Sequence, residues 1–194
     1  MQSEDCYLLG FSRFFPFPIS HFPFRMSQLI KTLINICLLR LSPGALPASG
    51  FLLGLMAVVA LISGVLHLVI VYTLIEALML VLVDMLVLIV IAAFALSMRG
   101  RISRLNQTLS AMFGTGALLT IIGIPFIAGV PGKGDIATLF QLLLTGLFVW
   151  QIVVLGHIFR HALSTGWFTG TLGALAYIFI SLSVSYSIIP PPNS

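Results

Sequence analysis

"FLLGLMAVVALISGVLHLVIVYTLIEALMLVLVDMLVLIVIAAFALSM" runs from Phe51 to Met98 and is apolar almost throughout. As a single α-helix it would be roughly 70 Å long, about twice the ~30 Å thickness of a bilayer's hydrocarbon core. The chain must therefore cross, turn back and cross again. Two spans, at about residues 51–72 and 75–98, are expected around a very short turn near Tyr72–Ile75. Further along, Thr108–Ala128, Ile136–His157 and Trp167–Ile188 are plainer spans joined by "RGRISRLNQ", "GVPGKGD" and "FRHALSTG". The fold class is all-α: a polytopic membrane bundle of five transmembrane helices filling residues 50–190.

Composition agrees. Of the 194 residues, 59% are hydrophobic and 7% charged, with a mean hydropathy of +1.17. Soluble domains carry about 25% charged residues. The net charge of +4 does not imply nucleic acid, because no aromatic–basic strip interleaves the nine cations. Cys6 and Cys37 show no zinc-ligand spacing and read as free thiols.

Before the first span lie two different segments. Residues 1–25 hold five phenylalanines and three prolines between Phe14 and Phe24, without helical or strand periodicity. Proline at that density blocks helix, so this stretch is expected to be disordered, or an extension ahead of a true start at Met26. "MSQLIKTLINICLLRL" (Met26–Leu41) then places Met26, Leu29, Ile30, Leu33, Ile34, Cys37, Leu38 and Leu41 on one stripe. Gln28, Lys31, Thr32 and Asn35 lie opposite. That pattern predicts an amphipathic helix over residues 26–41, lying on the cytoplasmic leaflet and too interrupted to span.

The cations set the orientation. With the N-terminus cytoplasmic, that side receives Arg13, Arg25, Lys31, Arg40, Arg99, Arg101, Arg104 and Arg160, and the other receives Lys133 alone. The expected location is a bacterial inner membrane, N-terminus in and C-terminus out.

Within the spans, the informative residue is Asp84, about 13 Å below the outer end of its helix by helical rise. A charged Asp there costs at least ~2.5–3.5 kcal/mol on insertion scales, so it should face the bundle and find hydrogen bonds. Matching depths across the antiparallel spans offers Ser63, Thr120, Thr145 and Ser181 as partners, with His67 and Gln141 about a turn further out. Two readings stand side by side: a proton or cation site, or a hydrogen-bonded carboxyl that pins helix packing. Glu76 reads as a solvated acid at the outer edge.

"GHIFRH" sets His157 and His161 on one helix face near the cytoplasmic end. The pair is a weak metal candidate: no further ligand sits at that depth, and Arg160 opposes a cation. Arg99, Arg101 and Arg104 form a basic loop suited to anionic lipids, and Asn106 is a candidate helix cap. Ser110–Gly114 and Gly166–Gly170–Ala174 have the small-xxx-small spacing of close helix contacts. Pro125 should kink the third span. Enzyme templates are missing: no HExxH, no glycine-rich phosphate loop, no paired carboxylates and no cofactor motif.

Five compact spans after a short cytoplasmic segment, the tight first hairpin and "RLNQTLSAMFGTG" at the head of the third span resemble the bacterial branch of the Yip superfamily. These are Rab-GTPase-interacting-type membrane proteins. The resemblance covers about residues 26–190, implies the same five-span fold and carries no functional residue over. Residues and resemblance together favour a non-enzymatic scaffold, assembly factor or complex subunit acting through helix packing. The alternative is a small proton- or cation-coupled transporter using Asp84. Partners are the bilayer, anionic lipids, and other membrane proteins or a second copy of the chain.

Overall fold

The computed structural model describes residues 26–130 and 134–189. The expectations for residues 1–25 and the placement of Lys133 fall outside the described residues. Six α-helices follow one another: α1 Met26–Cys37, α2 Gly50–Leu68, α3 Leu74–Met98, α4 Leu105–Gly129, α5 Asp135–Leu163 and α6 Trp167–Ile188. No strand occurs among the described residues. The last five helices are long and apolar enough to cross a bilayer, and the chain is an integral membrane protein. Their outward faces carry the apolar side chains that hydrocarbon accepts, such as Val58, Ile62 and Leu66 on α2 and Leu78, Leu82 and Leu86 on α3.

Neighbouring pairs α2–α4, α4–α5, α5–α6, α6–α3 and α3–α2 close a five-helix ring, with α1 against α4 and α5. α4 is the most enclosed span. Its small residues let the others approach: a Cβ on Gly114 would meet the Leu33 side chain of α1 and come within 3.0 Å of the Met56 sulfur on α2. The α5–α6 crossing is closer still. A Cβ on Gly170 would run into the Gly156 carbonyl and lie 2.6 Å from Arg160 Cβ, and Ala174 on the same face is fully buried. Gly166, the third member of that expected stripe, does not pack there; it is the exposed N-cap of α6 with open space around it.

Several boundaries differ from the sequence reading. α2 stops at Leu68 and α3 starts at Leu74 because Thr73 and Glu76 form a capping box: Glu76 Oε2 accepts from Thr73 N at 2.9 Å, and Thr73 Oγ1 accepts from Glu76 N. Glu76 is thus a helix-start residue as well as an edge acid. α4 starts at Leu105 after a short 3-10 turn, so Asn106 lies inside the helix rather than capping it; its carbonyl accepts the Ser110 hydroxyl at 2.7 Å. The α4 helix runs through Pro125. α5 continues to Leu163, where Ser164, with φ 50°, ends it in the left-handed region.

α1 ends at Cys37 instead of Leu41, since Leu39 turns left-handed at φ 61° and the Leu41 carbonyl is held by His157 Nε2 at 3.0 Å. Its apolar stripe also splits. Leu29, Leu33 and Cys37 bury against the bundle, joined by Ile36 from outside the expected stripe, while Met26, Ile30, Ile34, Leu38 and Leu41 remain exposed.

Two outcomes follow from this packing. Gly170→Ala should cost about 1–3 kcal/mol in unfolding by urea or heat in detergent, as overpacking does. Gly146→Ala, where a Cβ meets nothing within 4 Å, should leave stability unchanged or raised. Burial also pushes the Cys37 thiol up from 9.0 to about 11. Since only the thiolate reacts, alkylation of Cys37 in a Cys6→Ser background should stay slow through pH 9 and accelerate towards pH 11. A rate that already levels off near pH 9 would place the thiol in water instead.

A candidate site in the cavity around Asp84

Asp84 lies ten residues into α3, about 15 Å from the helix start at 1.5 Å per residue. A carboxyl at that depth needs donors, and α6 supplies two. Tyr177 donates its hydroxyl to Asp84 Oδ1 at 2.6 Å, and Ser181 donates to the same oxygen at 2.5 Å. Tyr177 and Ser181 are four residues apart, so one face of α6 presents both. Among the described residues no donor is bonded to Oδ2.

The carboxyl borders two adjoining cavities of about 350 and 260 Å³. Both are lined by His67, Asp84, Thr120, Gln151, Tyr177 and Ser181. The larger has walls from all five spans. It reaches Tyr72 in the α2–α3 turn and Tyr186 and Ile189 at the end of α6, which is one face of the bundle. At its other end Leu88, Met112, Phe113 and Leu155, all buried, separate it from the arginine-rich face. The result is a largely apolar chamber into which a cluster of polar side chains is set around Asp84, with an apolar floor and reach towards one side.

His67 lines the same chamber as the acid. Its Nδ1 is buried without a partner among the described residues, and its ring carbon lies 3.2 Å from where a Gly123 Cβ would be. Glycine at 123 thus leaves room for the imidazole. At Gly116 a Cβ would lie 3.7 Å from Gln151 Nε2, an ordinary contact. On α4, Gly123 therefore makes space for a polar side chain, as Gly114 does for helix contact.

Of the residues matched by depth, Asp84, His67, Thr120 and Ser181 come together here. The others do not. Ser63 is buried and donates to the Ala60 carbonyl at 3.1 Å, satisfied within its own helix. Gln141 and Thr145 are exposed on the outer face of α5, where the Thr145 hydroxyl donates to the Gln141 carbonyl at 2.9 Å. Gln151, six residues beyond Thr145 and on a different face of α5, is the residue that lines the cavity. Tyr177 and Gln151 were missed by sequence reasoning. Tyr177 had a readable signal, since it precedes Ser181 by one helical turn.

At the other face, His157 is 3% exposed and spends Nε2 on the Leu41 carbonyl, while Arg160 Nη2 lies 3.2 Å from His161 Nε2. The two imidazoles meet edge to face at 4.5 Å. Nε2 of each ring is engaged in holding the loop or the helix end, while His157 Nδ1 is buried without a partner among the described residues. Among the described residues, no group of three or more metal-ligand side chains gathers anywhere.

No protein-family model, curated protein or solved structure matches the chain. The site therefore stands on its geometry.

Tyr177→Phe removes one of the two donors to Asp84 while keeping the ring. It should lower unfolding stability in detergent by about 1–3 kcal/mol. The double change Tyr177→Phe with Ser181→Ala should cost more than either alone. Unchanged melting of both variants would show that these bonds do not hold α6 to α3.

Proposed function

We propose that the protein is a small membrane carrier in which Asp84 binds a proton or a small cation and couples it to passage across the bilayer. One observation carries the reading. A carboxyl deep in a span has one oxygen held by Tyr177 and Ser181 and borders a chamber that reaches a single face of the bundle and also holds His67, Thr120 and Gln151. An acid placed only to pin two helices needs no chamber beside it. An intramembrane acid on a cavity wall is where ion and proton pathways are built. His67 offers a second proton-accepting group on the same wall, and Leu88, Met112, Phe113 and Leu155 form a floor that would have to part for release on the other side.

The scaffold reading drew on small-residue stripes available to other membrane proteins. Ser110, Gly114, Gly170 and Ala174 are buried inside the bundle, so these surfaces are taken up by the chain's own helices. That leaves packing with partners less supported than transport. Kinship with the bacterial Yip branch fits either reading.

The membrane is read as a bacterial inner membrane with the arginine-rich end cytoplasmic. Arg99, Arg101, Arg104 and Arg160 lie at the α3–α4 and α5–α6 turns, while Glu76 and Asp135 open α3 and α5 at the opposite end. The chamber then faces outward.

Flux in proteoliposomes tests the carrier. With a pH-sensitive dye inside and a membrane potential imposed, the wild-type chain should pass protons or cations. Asp84→Asn should abolish that flux while melting and size in detergent stay the same. Equal flux from both proteins would end the carrier reading. A variant changed only in stability or assembly would return Asp84 to a packing role.

A further inference from the structure

A second polar cavity, of about 420 Å³, lies at the opposite end of the bundle and is independent of the Asp84 reading. It is walled by Ser42 and Gly44 from the α1–α2 connection, Arg104 and Gln107 at the start of α4, and His161 and Ser164 at the end of α5. We propose that it binds a phosphate-bearing anion, the headgroup phosphate of an anionic phospholipid or a free phosphate.

Charge is the first argument. Arg104 lines the cavity, and Arg101 is drawn to its rim by donating from Nη1 to Ser164 Oγ at 2.5 Å. Arg160 is held beside it, its guanidinium 4.5 Å over the Trp167 ring and near His161. The acids among the described residues are Glu76 and Asp135 at the far face and Asp84 in mid-span. Among the described residues nothing acidic neutralises this end, and guanidinium groups with hydroxyls form the donor set that phosphate oxygens take.

Construction is the second. Gln107 donates its amide to the carbonyls of Gly44 (3.1 Å) and Leu46, which fastens the loop over α4 and occupies acceptors that would repel an anion. Thr108 turns its hydroxyl onto the Arg104 carbonyl at 2.9 Å. His157 ties the same connection to α5 through Leu41. The wall is thus fixed in place, with Arg104 and the Ser42 and Ser164 hydroxyls as its donors. Position is the third: the cavity sits at the helix ends, with Ile102, Trp167 and Phe168 exposed around it, at the level where headgroups meet the protein.

A general basic surface would bind anions too, and Arg99 separates the two cases. It is exposed at the same end but does not line the cavity. The experiment is calorimetric titration of the full chain in a neutral detergent with dihexanoyl-phosphatidylglycerol, dihexanoyl-phosphatidylcholine and inorganic phosphate. Saturable binding of the phosphatidylglycerol is expected, weakened about five- to tenfold by Arg104→Gln or His161→Ala. Arg104→Lys should recover part of the loss, and Arg99→Gln should change nothing. Saturable, Arg104-dependent binding of inorganic phosphate would assign the site to the free anion; response to the phosphatidylglycerol alone would assign it to lipid. Equal affinity for both lipids, equal weakening by Arg99→Gln and Arg104→Gln, or no saturable binding of either anion would overturn the proposal.

Discussion

A carboxyl near the middle of a bilayer must be given hydrogen bonds by protein, because hydrocarbon offers none. Asp84 meets that requirement with Tyr177 and Ser181, 93 and 97 residues later in the chain. The consequence is topological. α6 has to lie against α3, and since α6 also packs on α5, the five spans close into a ring rather than an open row. The same polar side chains cannot be packed over by leucine without losing their partners, so the middle of the ring remains a chamber.

The remaining architecture serves that ring. α4 threads its crowded side with glycine and serine, so that α1, α2 and α5 can press on it. α5 and α6 cross at Gly156 and Gly170, where backbone meets backbone. At the arginine-rich end, Gln107 and His157 staple the α1–α2 connection to the spans. The opposite end is left open between Tyr72 and Tyr186. Two polar sites of different character result, an acidic one deep in the spans and a basic one at the helix ends, with buried Leu88, Met112 and Leu155 on the chamber's inner side.

The spans could be read from sequence because a run of about 20 apolar residues is a signal of length, insensitive to packing. Turns were harder. The first hairpin was placed a few residues late at its start, although "TLIE" carries the Thr-x-x-Glu spacing of a capping box at Thr73–Glu76. The site was half legible. Asp84 stands out as a charge in an apolar run, and equal depth found Thr120 and Ser181, with His67 about a turn further out. Depth says nothing of rotation, and a helix surrounded by lipid is apolar on every side, so hydropathy does not reveal its inner face. That is why Gln141 and Thr145 were chosen on α5 and Gln151 was passed over. α1 shows the reverse difficulty: one apolar stripe serves two environments, Leu29 and Leu33 inward and Ile30 and Ile34 outward.

Whether water enters the chamber decides between a working site and a packing pin. Gly116 lies on its wall, and a cysteine there has room, its Cβ in ordinary contact with Gln151. With Cys6→Ser and Cys37→Ala removing the native thiols, Gly116→Cys in proteoliposomes can be challenged with a small, charged, membrane-impermeant thiosulfonate. The account predicts rapid modification from the Tyr72–Tyr186 face and none from the arginine-rich face. A thiol that resists the reagent from both faces, yet reacts once the protein is unfolded, would contradict it.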